Sequence, residues 1–134
     1  MSAAPTANLT SVTVDGDGHL TVKVPSSASL RPSVENCPSG TTVSGTDSAG
    51  IITIGSGGGG HCEVVFGKPF AEAPACVISN NMWHPTPKSI YIYEDHFAID
   101  QVPVWNTTTH DFTDQLDTML TSEKISYVCI GIVK

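Results

Sequence analysis

The amino-acid sequence predicts an all-β protein, an antiparallel β-sandwich built of many short strands. Apolar and polar residues alternate with a period of two along several short stretches. Many of the twelve glycines and nine prolines stand between these stretches, where they favour turns. Only 14% of the residues are charged, and serine, threonine, glycine and proline replace the missing charges. At 134 residues the chain can form one core, so we predict a single domain over residues 1–134, with an extended N-terminal segment at about residues 1–8.

Individual strands can be assigned from the alternation. Two alternating stretches flank a DGDG turn in residues 11–24 and predict a β-hairpin. Further strands are predicted at residues 41–44, 51–54, 62–66, 75–79, 89–93, 97–100 and 124–133. Residues 112–120 allow two interpretations, because Phe112, Leu116 and Met119 have helical spacing while Phe112 and Leu116 also share one face of a strand. Periodicity alone leaves both open.

The stretch ITIGSGGGGHCEVVF, residues 52–66, places four consecutive glycines before His61 and Cys62. A phosphate-binding loop needs a Lys-Ser/Thr pair and a following helix whose N–H groups contact the anion. The residues after these glycines instead alternate as a strand does, and the Lys-Ser/Thr pair is missing. We therefore predict that the segment is the bend of a hairpin.

The formal net charge is −7, from 13 acidic and 6 basic residues, and the basic residues form no cluster. Such a chain binds nucleic acids and anionic membranes poorly, so neither is expected as a partner. No apolar run reaches the length of a transmembrane helix. The first ten residues lack the charged and apolar regions of a signal peptide, which predicts synthesis and folding in a cytoplasm.

The four cysteines are Cys37, Cys62, Cys76 and Cys129, and the last three lie in apolar stretches. For a cytoplasmic protein of this size the sequence favours reduced thiols that pack as small hydrophobic side chains. One disulfide bond and ligation of a metal ion are the alternatives, although no pair has the spacing of a zinc site. We expect no metal ion and no cofactor.

The remaining polar residues form no recognisable catalytic motif. The segment DGDGH, residues 15–19, begins like a calcium loop but lacks the later ligands, so a solvated turn is predicted. The five histidines share no metal-binding spacing, and no G-x-S-x-G motif is present. We predict that the protein is not an enzyme. The opposing hypothesis is a hydrolase or metal enzyme that uses His61, His84 or His96 with acidic partners.

Two tryptophans lie in loop-like segments. Trp83 and His84 stand in a proline-bounded stretch, and Trp105 precedes a threonine run. Exposed tryptophan in loops often contacts sugars or partner proteins. We treat Trp83, His84 and Trp105 as candidate contact residues for a glycan or partner. The alternative is that each tryptophan closes its own end of the sandwich.

The last predicted strand, residues 124–133, is apolar on both faces, whereas strands of antiparallel sandwiches usually keep one face in solvent. A second copy of the chain would cover the additional face. The candidate interface residues are Ile125, Tyr127, Val128, Cys129, Ile130 and Ile132.

The segments GTDSAGIITIG, CEVVFGKPFAEAPACVISNN and KISYVCIG resemble a module of tailed-bacteriophage virion surface proteins, which include capsid decoration proteins and the C-terminal domains of tail fibres and tailspikes. The resemblance covers roughly residues 45–133. The matching positions are Gly45, Thr46, Asp47, Gly50, Thr53, Gly55, Cys62, Phe66, Ala73, Pro74, Cys76, Tyr127, Cys129, Ile130 and Gly131. It implies a jelly-roll-like sandwich that forms trimers, brings no catalytic residues, and favours a strand in the region before Tyr127.

Within that family the sequence shows no fibre shaft, coiled coil or collagen-like repeat, which favours a small virion protein. The expected function is a trimeric capsid decoration (cement) protein, made in the host cytoplasm, that binds the major capsid protein on the virion surface. The candidate attachment residues, small and suited to an extended segment, are Ser2, Ala3, Ala4, Pro5 and Thr6. The alternative is the receptor-binding tip of a tail fibre or tailspike that recognises a host surface glycan.

Overall fold

The computed structural model describes residues 11–23, 31–56, 58–81 and 88–132. Within these ranges every regular element is a β-strand. The strands are β1 Ser11–Val14, β2 Leu20–Lys23, β3 Ser33–Glu35, β4 Thr42–Gly45, β5 Ala49–Thr53, β6 His61–Val65, β7 Ala75–Asn80, β8 Lys88–Ile92, β9 His96–Gln101, β10 Pro103–Asn106, β11 Asp111–Leu116 and β12 Lys124–Ile130. None of the described residues belongs to a helix with the length and apolarity needed to cross a membrane.

Two four-stranded antiparallel sheets form the body of the protein. The β12 sheet has the strand order β4-β5-β12-β7, and the β9 sheet has the order β3-β6-β9-β8. Strands β1 and β2 form a separate hairpin, and so do β10 and β11. The predicted all-β fold with antiparallel sheets is confirmed. The β1-β2 hairpin encloses the DGDG turn as predicted, with Val14 opposite Leu20.

The hydrophobic core lies between the two sheets. Strand β12 shows the alternation that builds it, because Ile125, Tyr127 and Cys129 are buried while the residues between them face away from the core. The ring centroids of Phe97, on the β9 sheet, and Tyr127, on the β12 sheet, are 5.2 Å apart. The two sheets therefore pack face to face through large side chains.

The glycine-rich segment is not the bend of a hairpin, contrary to the sequence prediction. Strand β5, before it, pairs with β4 and β12, whereas β6, after it, pairs with β3 and β9. The segment therefore crosses from one sheet to the other. The Gly60 carbonyl accepts a hydrogen bond from the Gln101 N–H at 2.7 Å, and Gly60 is buried against the Asp117 backbone. The alternation of apolar and polar residues before and after the glycines predicted the two strands, but it did not predict which strands they pair with.

The cysteines form two disulfide bonds, so the expectation of reduced thiols is wrong. Cys37 is bonded to Cys62, and Cys76 is bonded to Cys129. Cys76 and Cys129 lie directly opposite each other in the register of β7 and β12. The Cys76–Cys129 bond joins neighbouring strands of the β12 sheet, and the Cys37–Cys62 bond joins β6 to the segment that follows its neighbour β3, so neither crosses the core. The pairing follows from strand register, which apolar alternation along the chain does not reveal.

Residues 112–120 contain a strand rather than a helix. Strand β11 pairs with β10, and Phe112 lies opposite Trp105. Phe112 is 60% exposed whereas Met119, beyond the end of the strand, is buried. The apolar residues at helical spacing therefore do not share a face, and the strand interpretation is confirmed.

Candidate functional sites on the two sheets

The outward-facing side of the β12 sheet exposes neighbouring apolar side chains. In the strand register Val128 lies between Val77 and Ala49, and Ile130 lies beside Ala75. Val77 is 72% exposed, and Val128 and Ile130 are about half exposed. We call this surface the outer β12 face; its residues are Thr42, Ser44, Ala49, Ile51, Thr53, Ala75, Val77, Ser79, Lys124, Ser126, Val128 and Ile130.

The predicted interface residues divide between the core and this face. Ile125, Tyr127 and Cys129 are at most 1% exposed, because they pack between the sheets. Val128 and Ile130 lie on the outer β12 face, and Ile132 follows the strand and is half exposed. The candidate interface is therefore restricted to the outward-facing half of the predicted set.

The segment GTDSAG, which carries part of the sequence resemblance, forms a corner that holds the two sheets together. The Asp47 carboxylate is fully buried and accepts hydrogen bonds from the N–H groups of Gly67 at 2.7 Å and Lys68 at 3.0 Å. Burial raises the pKa of Asp47, and these two bonds oppose that shift. The Tyr127 hydroxyl donates to the Thr46 carbonyl at 2.5 Å. The motif is therefore structural in this chain.

A series of alternating histidines and carboxylates covers the outer side of the β9 sheet. His61 on β6 contacts Asp100 through Nδ1, and its Nε2 lies 3.5 Å from Glu63 Oε1. His96 on β9 lies 2.7 Å from Asp95 through Nδ1 and 3.9 Å from the same Glu63 oxygen through Nε2. The β6–β9 pairing thus brings together two of the three histidines of the enzyme hypothesis, with acidic partners. His84 lies outside the described residues.

Hydrogen bonds lower the pKa of two carboxyl groups in this cluster. Asn36 donates to Glu63 Oε2 at 2.5 Å, and this bond, with smaller contributions from the two nearby histidines, holds the pKa of Glu63 below its ordinary value. The bond to His96 lowers the pKa of Asp95. Both carboxyl groups are therefore ionised at neutral pH. Imidazole and carboxylate are also zinc-ligand types, although Glu63 stands 3.5 and 3.9 Å from the two ring nitrogens.

The turn of the β1-β2 hairpin is another group of potential metal ligands. Asp15, Asp17 and His19 are exposed, and their ligand atoms lie within 4.8 Å of one another. Asp15 Oδ1 already accepts hydrogen bonds from the N–H groups of Asp17 and His19, each at 2.9 Å. The carboxylate thus stabilises the turn in the manner expected of an aspartate at this position.

The β10-β11 hairpin presents an exposed aromatic pair. The rings of Trp105 and Phe112 meet edge to face with centroids 4.9 Å apart. Trp105 is 48% exposed, so its ring remains available for contacts. Trp83, His84 and the candidate attachment residues 2–6 lie outside the described residues.

A polar cluster that the sequence analysis did not identify is buried where the edge strands β7 and β8 approach each other. Lys88 Nζ lies 2.8 Å from Glu123 Oε1 and donates to Gln101 Oε1 at 2.7 Å. Asn80 donates through Nδ2 to the same Glu123 oxygen. The Lys88 side chain is 6% exposed and that of Glu123 is fully buried. Strand pairing places Lys88 opposite Gln101 within the β9 sheet, and the packing of the two sheets brings Lys88 to Asn80 and Glu123.

No protein-family model, curated protein or solved structure matches this chain. The resemblance of residues 45–133 to virion surface proteins therefore depends on the sequence positions alone.

Proposed function

We propose that this chain is a non-enzymatic structural protein of a tailed bacteriophage, a jelly-roll-like capsid decoration (cement) protein that forms homotrimers and stabilises the head. The observation that carries the proposal is the outer β12 face, where Val77, Val128 and Ile130 are exposed side by side. Contiguous exposed apolar residues with polar neighbours are typical of protein–protein contact surfaces.

A second copy of this chain suits the outer β12 face because of its charge. Lys124 is the charged residue among the described residues of that face, and none of them is a carboxylate, although the chain carries a net charge of −7. Copies that meet through this face keep their acidic residues apart. They also bury valine and isoleucine side chains, each worth about 1.5–3 kcal/mol on full burial.

The two disulfide bonds support a protein that works outside a reducing compartment. Disulfides persist on virion surfaces and in secreted proteins, whereas cytosolic thiols are kept reduced. A chain made in the host cytoplasm would acquire Cys37–Cys62 and Cys76–Cys129 once it is exposed to oxidising conditions. Disulfide formation after release from the host cell is consistent with a protein on the surface of a virion.

The proposed action is mechanical and needs no cofactor. A trimer that binds the major capsid protein across neighbouring capsomers stabilises the closed shell by mass action, since it binds the assembled lattice. Residues 2–6 would provide the attachment segment, and the acidic surface would keep the protein away from DNA. The histidine–carboxylate cluster lies on the outer side of the β9 sheet with its side chains partly exposed to solvent, whereas catalytic sites usually exclude water.

Light scattering tests the self-association. The wild-type protein should have three times the 14.1 kDa mass of the chain at micromolar concentration. Val128→Asp should be monomeric, because it buries an unpaired carboxylate at the interface. Val14→Asp is the matched control, since Val14 is an exposed valine on the β1-β2 hairpin, and it should remain trimeric. A monomeric wild-type protein would contradict the proposal.

Heating capsids with and without the protein tests decoration itself. Decorated capsids should release DNA at a higher temperature than bare ones. Deletion of residues 1–7 should weaken capsid binding while the trimer remains intact. If decorated and bare capsids release DNA at the same temperature, the protein is not a cement protein.

The second candidate function is a receptor-binding tip that recognises a host glycan. The exposed Trp105 ring, supported by Phe112, favours it, because sugars stack on exposed aromatic rings. Trp83 and His84 would be further contacts. For a tip protein, Trp105→Ala should abolish cell adsorption while the heat resistance of the virion stays normal, which is the opposite of the pattern expected for a cement protein.

A further inference from the structure

The buried polar cluster brings an amine, an amide and a carboxylate into mutual contact. Lys88 Nζ and Asn80 Nδ2 both contact the same oxygen, Glu123 Oε1. The apolar side chains of Ile78 and Ile90 line the small pocket beside them. We propose that Lys88 and Asn80 become joined by an amide bond between their side chains, with Glu123 carrying a proton between the two nitrogens.

The contacts with Glu123 supply the proton transfers that this reaction requires. A proton passes from the Lys88 ammonium to Glu123 Oε1 across the 2.8 Å contact, which leaves a neutral amine and a neutral acid. Both neutral groups are less costly to bury than the ions. The amine then attacks Asn80 Cγ, and Glu123 passes a proton to Nδ2, which it already contacts.

The step is balanced without any further reactant. A bond forms between Lys88 Nζ and Asn80 Cγ, and the bond between Asn80 Cγ and Nδ2 breaks. Glu123 then takes a proton back from the attacking nitrogen. The lysine ammonium, the asparagine amide and the Glu123 carboxylate thus become one secondary amide, one ammonia molecule and the neutral acid of Glu123, and no oxidant or reductant takes part.

Gln101 also contacts Lys88, but its orientation suits a positioning residue rather than the acceptor. It presents Oε1 to Lys88 Nζ at 2.7 Å and directs Nε2 to the Thr118 carbonyl at 3.3 Å. Its amide nitrogen therefore does not face the Glu123 oxygen that must deliver the proton. Asn80 directs its amide nitrogen at that oxygen, so Asn80 is the acceptor.

The second oxygen of Glu123 gives the reaction a thermodynamic reason. Oε2 is buried and has no hydrogen-bond partner among the described residues. An ionised carboxylate in that position is left partly unsatisfied, which is costly. Removal of the neighbouring lysine charge by amide formation lets Glu123 be held as a neutral acid and ends the requirement for a buried ion pair.

The bond would join the two sheets where the disulfides do not. Asn80 ends β7, an edge strand of the β12 sheet, and Lys88 begins β8, an edge strand of the β9 sheet. Neither disulfide connects a strand of one sheet to a strand of the other. The amide bond would therefore be a covalent link across the core, and it does not depend on the proposed role in a virion.

Intact-mass measurement of the purified, reduced protein tests this proposal. The wild-type mass, after allowance for loss of Met1, should be lower than the sequence mass by one ammonia molecule, and tandem mass spectrometry should locate the link between Lys88 and Asn80. Lys88→Arg, Asn80→Ala and Glu123→Gln should each have their full sequence mass. Lys124→Arg, which changes an exposed lysine next to Glu123, is the control and should keep the mass loss.

The wild-type spectrum decides the matter even if a variant fails to fold. A wild-type protein with its full sequence mass would overturn the proposal. So would a lost ammonia that maps to a Lys88–Gln101 link or to a cyclised asparagine elsewhere. Loss of ammonia that persists in Glu123→Gln would overturn the role of Glu123 as proton carrier.

Discussion

The hydroxyl of Tyr127 donates a hydrogen bond to the carbonyl of Thr46, although 81 positions separate them in the chain. The bond ties the middle of β12 to the corner after β4, and Asp47 in that corner holds the N–H groups of Gly67 and Lys68. Burial, with a smaller effect from Asp47, raises the pKa of Tyr127, so the hydroxyl remains a donor at physiological pH.

Tyr127→Phe should lower the free energy of unfolding by about 1–3 kcal/mol, because the Thr46 carbonyl is left without its donor in a partly buried corner. Chemical denaturation at neutral pH measures the loss. Tyr91→Phe is the control, since Tyr91 is about half exposed on β8, and it should change stability little. Equal stability of the two variants would show that the corner does not need this bond.

The two disulfides should contribute unequally to stability. The chain-entropy relation gives about 3.5 kcal/mol for a separation of 25 residues and about 4 kcal/mol for one of 53. The double variant Cys76→Ala/Cys129→Ala should therefore lose somewhat more unfolding free energy than Cys37→Ala/Cys62→Ala. Denaturation of both variants and of the wild type, with and without reductant, provides the comparison. A wild-type protein insensitive to reductant would contradict the expectation.

Glu63 should stabilise the protein above its ordinary pKa and lose this effect in acid. Its pKa in the folded protein lies below the ordinary value of 4.5, so the unfolded chain binds the proton first as the pH falls. The stabilisation is therefore present above about pH 4.5 and disappears as the pH falls through the lower folded pKa. Glu63→Gln should be less stable than the wild type at neutral pH, and the difference should shrink towards about pH 3.

Denaturation curves across this pH range measure the effect, with Glu35→Gln as the control. Glu35 lies directly opposite Glu63 on β3, so this change removes the same charge from the neighbouring position. A gap between Glu63→Gln and the wild type that widened in acid would contradict the assigned direction.

Gly60→Ala should destabilise the protein by about 1–3 kcal/mol, as overpacked positions do. A Cβ at this position would collide with the Asp117 carbonyl and the Leu116 side chain. Gly16→Ala is the matched control, because a Cβ there meets nothing within 4 Å. Thermal unfolding of both variants checks the difference. Equal melting temperatures of the two variants would show that the glycine-rich segment shifts enough to accommodate the added methyl group without loss of stability.

Period-two alternation was enough to predict the all-β fold and most strands, since each strand keeps one side in the core. It missed β3, which is three residues long, and β10, which begins with Pro103. It also predicted a hairpin at the glycines, because alternation identifies a strand but not its neighbour in the sheet. Which distant segments pair is decided only when the whole chain folds, so alternation within one segment cannot predict it.

The same reason explains which site features were found. The two faces of β12 could be predicted, because the alternation lies within one segment. The Cys76–Cys129 bond, the Glu63–His96 contact and the Lys88–Glu123 pair each join separate segments of the chain. Their geometry depends on strand register or on the packing of the two sheets. The alternation of apolar and polar residues within one segment predicts neither.

The charge distribution around the outer β12 face has a consequence for how fast copies meet. Two chains of net charge −7 repel each other at long range, and salt at physiological concentration screens this repulsion beyond about 8 Å. The described residues of the outer β12 face include Lys124 and no carboxylate, so copies that approach through this face bring no carboxylates of that face together. For copies that bind through this face, added salt should raise the association rate and leave the dissociation rate nearly unchanged.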